Sequence, residues 1–304
     1  MPVLSRSLGW LPDVPKINDY TQSHPKVTEL LKKTGVPSRI SGLSTAIGVT
    51  TRGAAAAAAP APVPLLSPSV DLRPFCSPIV DQGALGSCTA NAAAGLVEYF
   101  EKRSFGNYIP AARLFIYKAT RDLLGWTGDT GAYLRSTMEA LALFGAPPEQ
   151  YLAYDISQFD NEPSAFCYAF GANYQSLVYF RLDPSPLTGP QVLQNIKTFV
   201  DGGFPSMFGF PVYDEYYNAA ATGLVAFPGP TSRYYGGHAN DAVGYDDNLM
   251  IGPDKGALLV RNSWGTGWGL NGYAWLSYRY VTDQLAVDWW SIILDRWVNT
   301  GNFA

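Results

Sequence analysis

The chain has 304 residues, a net charge of −4, 47% apolar residues and 15% charged residues. That is enough apolar material for a sizeable core and too much for a disordered chain. There is no Lys/Arg excess to hold phosphates, so no nucleic-acid footprint is expected, and no run of about 18 apolar residues, so no membrane span. Only three cysteines (Cys76, Cys88, Cys167) and two histidines (His24, His238) occur, with no paired spacing that suits a structural zinc site. The opening residues lack an apolar stretch of signal-peptide length. The expected location is cytoplasmic by default, or outside the cell without a conventional leader.

Residues 1–65 differ in character from residues 66–304. Within them, Val27, Leu30 and Leu31 fall on one face of a helical stretch from His24 to Lys33, too short to stand alone. It must dock or fray. After Gly35 the chain turns to Ser, Thr and Gly, then to six alanines running into Pro60, Pro62 and Pro64, which reads as a spacer. From about 66 to 175 the pattern is helical. Thr89–Arg103 carries Leu96, Val97 and Phe100 on one side, a second helix starts near Pro110, and a third runs from Ala132 to Phe144 with Gly145 as its stop. From about 176 to 304 it is strand-rich: Gln175–Leu182, Pro205–Pro211, His238–Tyr245, Gly256–Arg261 and Gly272–Tyr278, interrupted by a helix over Pro190–Val200. Helices followed by strands predict an α+β fold of two lobes with a cleft between them.

Cys88 opens the first helix, where the dipole and unpaired N–H groups favour a thiolate. Alone, it reads as readily as a small buried hydrophobe. In the strand-rich half only His238 can serve as its base, in Gly-Gly-His-Ala-Asn-Asp. Asn262, in Arg-Asn-Ser-Trp-Gly-Thr-Gly-Trp-Gly, can orient that imidazole, and Trp264 can shield the bond. Gln82 stands six residues before Cys88. The bland reading of each stretch is a packed helix start, an ordinary strand histidine and a Gly/Trp-rich turn.

Together these pieces resemble the papain-like cysteine peptidases, in particular the bacterial branch with a short N-terminal pro-segment. Val-Asp-Leu-Arg-Pro at 70–74 is similar to the start of the mature domain in that family, and the likeness covers about residues 67–295. It implies a papain-like fold with a helical left lobe and an antiparallel sheet or barrel as right lobe. It implies proteolysis of peptide or protein substrates through a Cys88–His238 thiolate–imidazolium pair, with Asn262 orienting the histidine and Gln82 helping to hold the oxyanion. No metal and no organic cofactor are called for. Gly131 and Ala132 would pair with the substrate backbone. Tyr133, Leu134 and Ala239 would line an apolar pocket for the residue second before the scissile bond. Trp264 and Trp268 would border the cleft. The N-terminal segment would be a further partner, covering the site with residues from about 10 to 45 until cut in the Ser44–Leu66 stretch.

Two residues depart from the family pattern. Leu85 replaces a cysteine, so that disulfide is not expected, and Thr89 replaces an aromatic residue. The span between His238 and Asn262 is long, which predicts a loop insertion around Asp246–Gly256. Cys76 and Cys167 remain free to pair with each other outside a reducing compartment. Asp241, Asp246, Asp247 and Asp254 match no metal-loop spacing. A non-catalytic binding protein on the same scaffold, or an acyl-transferase or isopeptidase using the same residues, are the alternatives.

Overall fold

A computed structural model of the chain describes residues 6–34, 66–172 and 177–303. The helical lobe is organised by α2 (Cys88–Phe105), following a short α1 (Pro25–Leu31) in the N-terminal segment. Nearly all of α2 is buried, and it ends on Gly106, whose left-handed conformation (φ 75°) closes the last turn. Its alanines and Gly95 let it lie close to the sheet, and a β-carbon on Gly95 would strike the Arg261 guanidinium. Around it lie α3 (Arg113–Leu123), α4 (Leu134–Phe144) and α5 (Ala165–Gly171).

The second lobe is an eight-stranded sheet. Its strands are β2 (Ser69–Asp71), β4 (Val178–Arg181), β5 (Ser206–Tyr213), β6 (Leu224–Val225), β7 (Tyr234–Ile251), β8 (Asp254–Arg261), β9 (Tyr273–Ser277) and β10 (Val287–Ile293). The order is β4-β10-β5-β7-β8-β9-β6, antiparallel except for the β9–β6 pair, with β2 also on β7. Helix α6 (Gly189–Asp201) starts from a capping box between Thr188 and Gln191. The lobe is completed by α7 (Asp214–Thr222), α8 (Arg279–Thr282) and α9 (Asp295–Val298). The α+β, two-lobe expectation holds.

A separate two-stranded parallel pair, β1 (Trp10–Leu11) on β3 (Ala132–Tyr133), ties the N-terminal segment to the helical lobe. Helix α1 docks, with Val27 and Leu31 fully buried against β4, β10 and α9. That burial holds a helix of two turns that could not persist in water.

Several expectations change. The stretch 246–256 is not a loop. It extends the β7–β8 hairpin, with Met250 opposite Lys255 and a turn at Gly252 (φ 59°). The third predicted helix begins at Leu134 because Ala132 and Tyr133 are extended and paired with the N-terminal segment. Cys76 and Cys167 are both free and buried, in two different hydrophobic clusters. Part of the spacer and of the expected cleavage stretch lies outside the described residues.

Candidate active site

Cys88 is the first residue of α2 and is fully buried. Ser87 makes no side-chain cap, which leaves the first-turn N–H groups to other acceptors. The backbone N–H groups of Gly9 in the N-terminal segment and Ala239 on β7 lie near the sulfur and, with those of Thr89 and Cys88, favour its thiolate against the effect of burial. The Ala239 contact brings the thiol beside the residue that follows His238.

His238 is fully buried on β7. Its Nε2 lies 2.8 Å from Oδ1 of Asn262, which sits just beyond the end of β8. That oxygen also accepts the Ser263 N–H at 2.8 Å, so it is the acceptor and Nε2 carries the hydrogen. Nδ1, the other nitrogen, has no hydrogen-bond partner among the described residues. It is therefore the basic nitrogen of the neutral ring. Trp264 covers the imidazole at 4.9 Å between ring centroids, while Phe210 and Tyr216 meet it edge-on. Trp268 packs on Tyr216 at 4.7 Å and is itself buried, so it backs this aromatic wall.

Gln82 is held rigidly. Its Oε1 accepts the Ser263 hydroxyl at 2.6 Å, and its Nε2 donates to the Leu85 carbonyl at 2.9 Å and to the Ser7 carbonyl at 3.0 Å. A carbonyl oxygen thus already occupies the amide donor expected to face an oxyanion. Gly131 (φ 72°) could carry no side chain, since a β-carbon there would run into the Gly9 carbonyl. That carbonyl accepts the Ala132 N–H at 2.7 Å. Tyr133 faces Leu11 in the strand pair and its ring tilts on Trp126, Leu134 is fully buried, and Ala239 is buried opposite Gly209.

Tyr117 and Asp129 were not singled out from sequence. The Tyr117 hydroxyl donates to Asp129 at 2.6 Å and accepts the Gly131 N–H at 3.0 Å, while the Gly86 N–H donates to Asp129 at 2.9 Å. This network ties the Gln82–Cys88 loop to the strand that pairs with Gly9. Nothing in residue spacing marks it, because its members come from three separate segments.

The covered site is electrostatically unfavourable for charge. Burial pushes the Cys88 thiol up to about 11 and holds His238 down at about 4. Burial thus disfavours the charged form of both groups while the N-terminal segment covers them. That segment also reaches the cleft earlier than expected. Arg6 pairs with Asp81, and Ser7 through Leu11 make the cleft contacts. Asp13 and Asp19 pair with Arg135 farther along.

A thiol at a helix start, in contact with the residue that follows an amide-fixed histidine, has the parts that thiol-dependent acyl transfer needs. Comparisons with known proteins agree. A model described as papain family cysteine protease matches residues 189–286. An uncharacterized peptidase C1-like protein of Acanthamoeba polyphaga mimivirus is 37% identical over 219 residues, covering 70% of this chain and 68% of that protein. The structure of xylellain, a cysteine protease from Xylella fastidiosa, is similar with a TM-score of 0.72 at 28% identity, over 95% of this chain and 97% of that one. The procathepsin L 3 structure from Tenebrio molitor larval midgut, at 21% identity and a TM-score of 0.58 over 76% of this chain and 71% of that one, shares the fold. The chain belongs to the papain family of cysteine proteases, hydrolases of peptide bonds.

Proposed function

We propose that this protein is a cysteine peptidase made in a self-covered form, with Cys88 as nucleophile and His238 as its base and later general acid. When the cleft opens, water and the freed N–H groups favour charge separation, and the Cys88 proton passes to Nδ1 of His238. The sulfur attacks a substrate carbonyl carbon. The electron pair moves to the oxygen, which Gln82 Nε2 and the Cys88 N–H would stabilise. His238 returns the proton to the leaving amine, then takes one from water as the thioester is hydrolysed. Asn262 keeps the hydrogen on Nε2 throughout, leaving Nδ1 for the chemistry. Gly131 and Ala132 would pair with the substrate backbone as an added strand. Tyr133, Leu134 and Ala239 belong to the surroundings of the specificity pocket, and Trp264 and Trp268 to the wall behind His238.

The observation that carries the reading is the hydrogen bond between His238 and Asn262, with Nδ1 unpartnered among the described residues and the next residue, Ala239, near the sulfur.

The N-terminal segment would act as a built-in inhibitor. Gln82 grips the Ser7 carbonyl, yet the sulfur faces the N–H of Gly9, two residues later. The held carbonyl and the group against the sulfur belong to different peptide units, so the segment fills the cleft without offering a bond for attack. Residues 1–65 would then be a removable leader and 66–304 the peptidase domain. In the full chain, Trp10→Ala should raise hydrolysis of a fluorogenic peptide, and adding Cys88→Ala should abolish it. Unchanged cleavage after Cys88→Ala would remove the thiol from the mechanism.

A further inference from the structure

Trp10 occupies a closed pocket one residue away from the thiol's contact at Gly9. Trp10 is only 6% exposed. Gly209 and Gly237 form walls so close that a β-carbon on either would strike Trp10. At the pocket's end, the indole Nε1 donates to Oδ2 of Asp288 at 3.2 Å. Asp288 is fully buried and is held at φ 62°, a left-handed conformation uncommon outside glycine. The constraint is a bulge in β10. The register against β5 slips between Val287–Gly209 and Trp290–Met207, and such bulges re-aim side chains beside functional sites. Its other oxygen, Oδ1, is already taken by Trp290 Nε1 at 2.7 Å and lies 3.2 Å from the Arg181 guanidinium.

When the N-terminal segment leaves, the pocket keeps apolar glycine walls and loses the donor to Oδ2. An aliphatic occupant would bury that carboxylate oxygen unsatisfied, which a binding site disfavours far more than a lost methylene. A cationic occupant is poorly suited as well. Asp288 already faces Arg181, and the Arg135 and Arg181 guanidinium groups both lie near the Trp290 ring, at 5.2 and 5.0 Å. The remaining match is a broad neutral ring with an N–H at its far edge.

We propose that Asp288 is a specificity-determining residue that makes the enzyme select peptides with tryptophan second before the scissile bond. This sharpens the apolar pocket expected from the sequence and rests on the peptidase reading above.

The test uses the full chain carrying Trp10→Ala, which vacates the pocket without touching the catalytic groups. Four peptides differ only at the second residue before the bond: tryptophan, 1-methyltryptophan, leucine and arginine. The tryptophan peptide should exceed each of the others in kcat/KM by about tenfold or more. The 1-methyl analogue is decisive because it keeps the ring and lacks the N–H, and it leaves the buried carboxylate unaltered. Equal turnover of tryptophan and 1-methyltryptophan, or preference for leucine or arginine, overturns the assignment. So does labelling of Cys88 by a thiol-directed epoxide without cleavage of the tryptophan peptide. If no peptide is cleaved and Cys88 also stays unlabelled, the peptidase reading itself fails.

Discussion

Gly9 and Gly86 meet backbone to backbone. A β-carbon on Gly9 would fall on the Gly86 carbonyl, in the loop that leads to Cys88. The N-terminal segment can enter the cleft this deeply only because Gly9 has no side chain there. Gly9→Ala should therefore expel the segment while leaving the folded body intact. Peptide hydrolysis by the full-length variant should rise by about tenfold or more over the parent chain, since even one methyl in a closed contact is poorly tolerated. A continuous fluorogenic assay from the moment of mixing checks this, and equal rates would argue against occlusion.

The covered site should also show in the pH dependence of thiol alkylation. With Cys88 raised by burial to about 11, the closed chain keeps its thiol proton through neutral pH. The sign follows from linkage. Between the ordinary value of 9.0 and about 11 the closed form holds a proton that an exposed thiol releases, so rising pH favours opening. In the parent chain, iodoacetamide labelling of Cys88 should climb steadily up to pH 10 without a plateau. In the Gly9→Ala variant, with water readmitted, it should level off at lower pH. Mass mapping across a pH series measures both.

Much of this site was legible in the sequence because it is carried by short contiguous strings. The helix starting at Cys88 announces itself by its alanine run and by Leu96, Val97 and Phe100 at helical spacing. Asn262, Trp264 and Trp268 sit within one glycine-rich string beside the end of β8. What stayed hidden depends on partners remote in the chain. Trp10 pairs with Ala132 through a two-residue strand, and no periodicity marks so short an element. Asp288 becomes a pocket floor only through a bulge in β10, a strand the sequence pattern did not reveal. The 246–256 stretch, rich in Asp, Asn and Gly, reads as a loop, yet hairpin pairing overrides those residues' weak strand preference.

Gln82→Ala should lower kcat by about 10²–10³-fold with little change in KM, as removal of one oxyanion donor does. Measured in the Gly9→Ala background, where the cleft is open, the loss should fall on kcat alone. A change confined to KM would assign Gln82 to substrate binding instead.

Asn262→Ala in the same background should cost activity through His238. Without the oxygen that accepts its Nε2–H at 2.8 Å, the ring is free to exchange tautomer and tilt. We expect a fall in kcat of about tenfold or more, accompanied by a changed pH–rate profile. An unaltered profile would make the amide merely structural.

Behind the site, Arg261 on β8 faces Asp241 on β7 and bonds Ser77 and the Pro78 carbonyl at 2.9 Å each. Asp241 and Glu98 would be left as buried acids without it. Arg261→Met should destabilise the fold by about 3–5 kcal/mol, lowering Tm by on the order of 10 °C in a thermal melt. A shift within a degree or two would show that the two acids are protonated and need no partner.

The most direct test of the whole account is labelling the full-length protein and its Gly9→Ala variant with an epoxide of the E-64 type, followed by mass mapping. A single adduct on Cys88, formed faster in the variant, with Cys76 and Cys167 unmodified, is the predicted result. An adduct on Cys76 or Cys167 in preference to Cys88, or no adduct at all once the cleft is open, would contradict it.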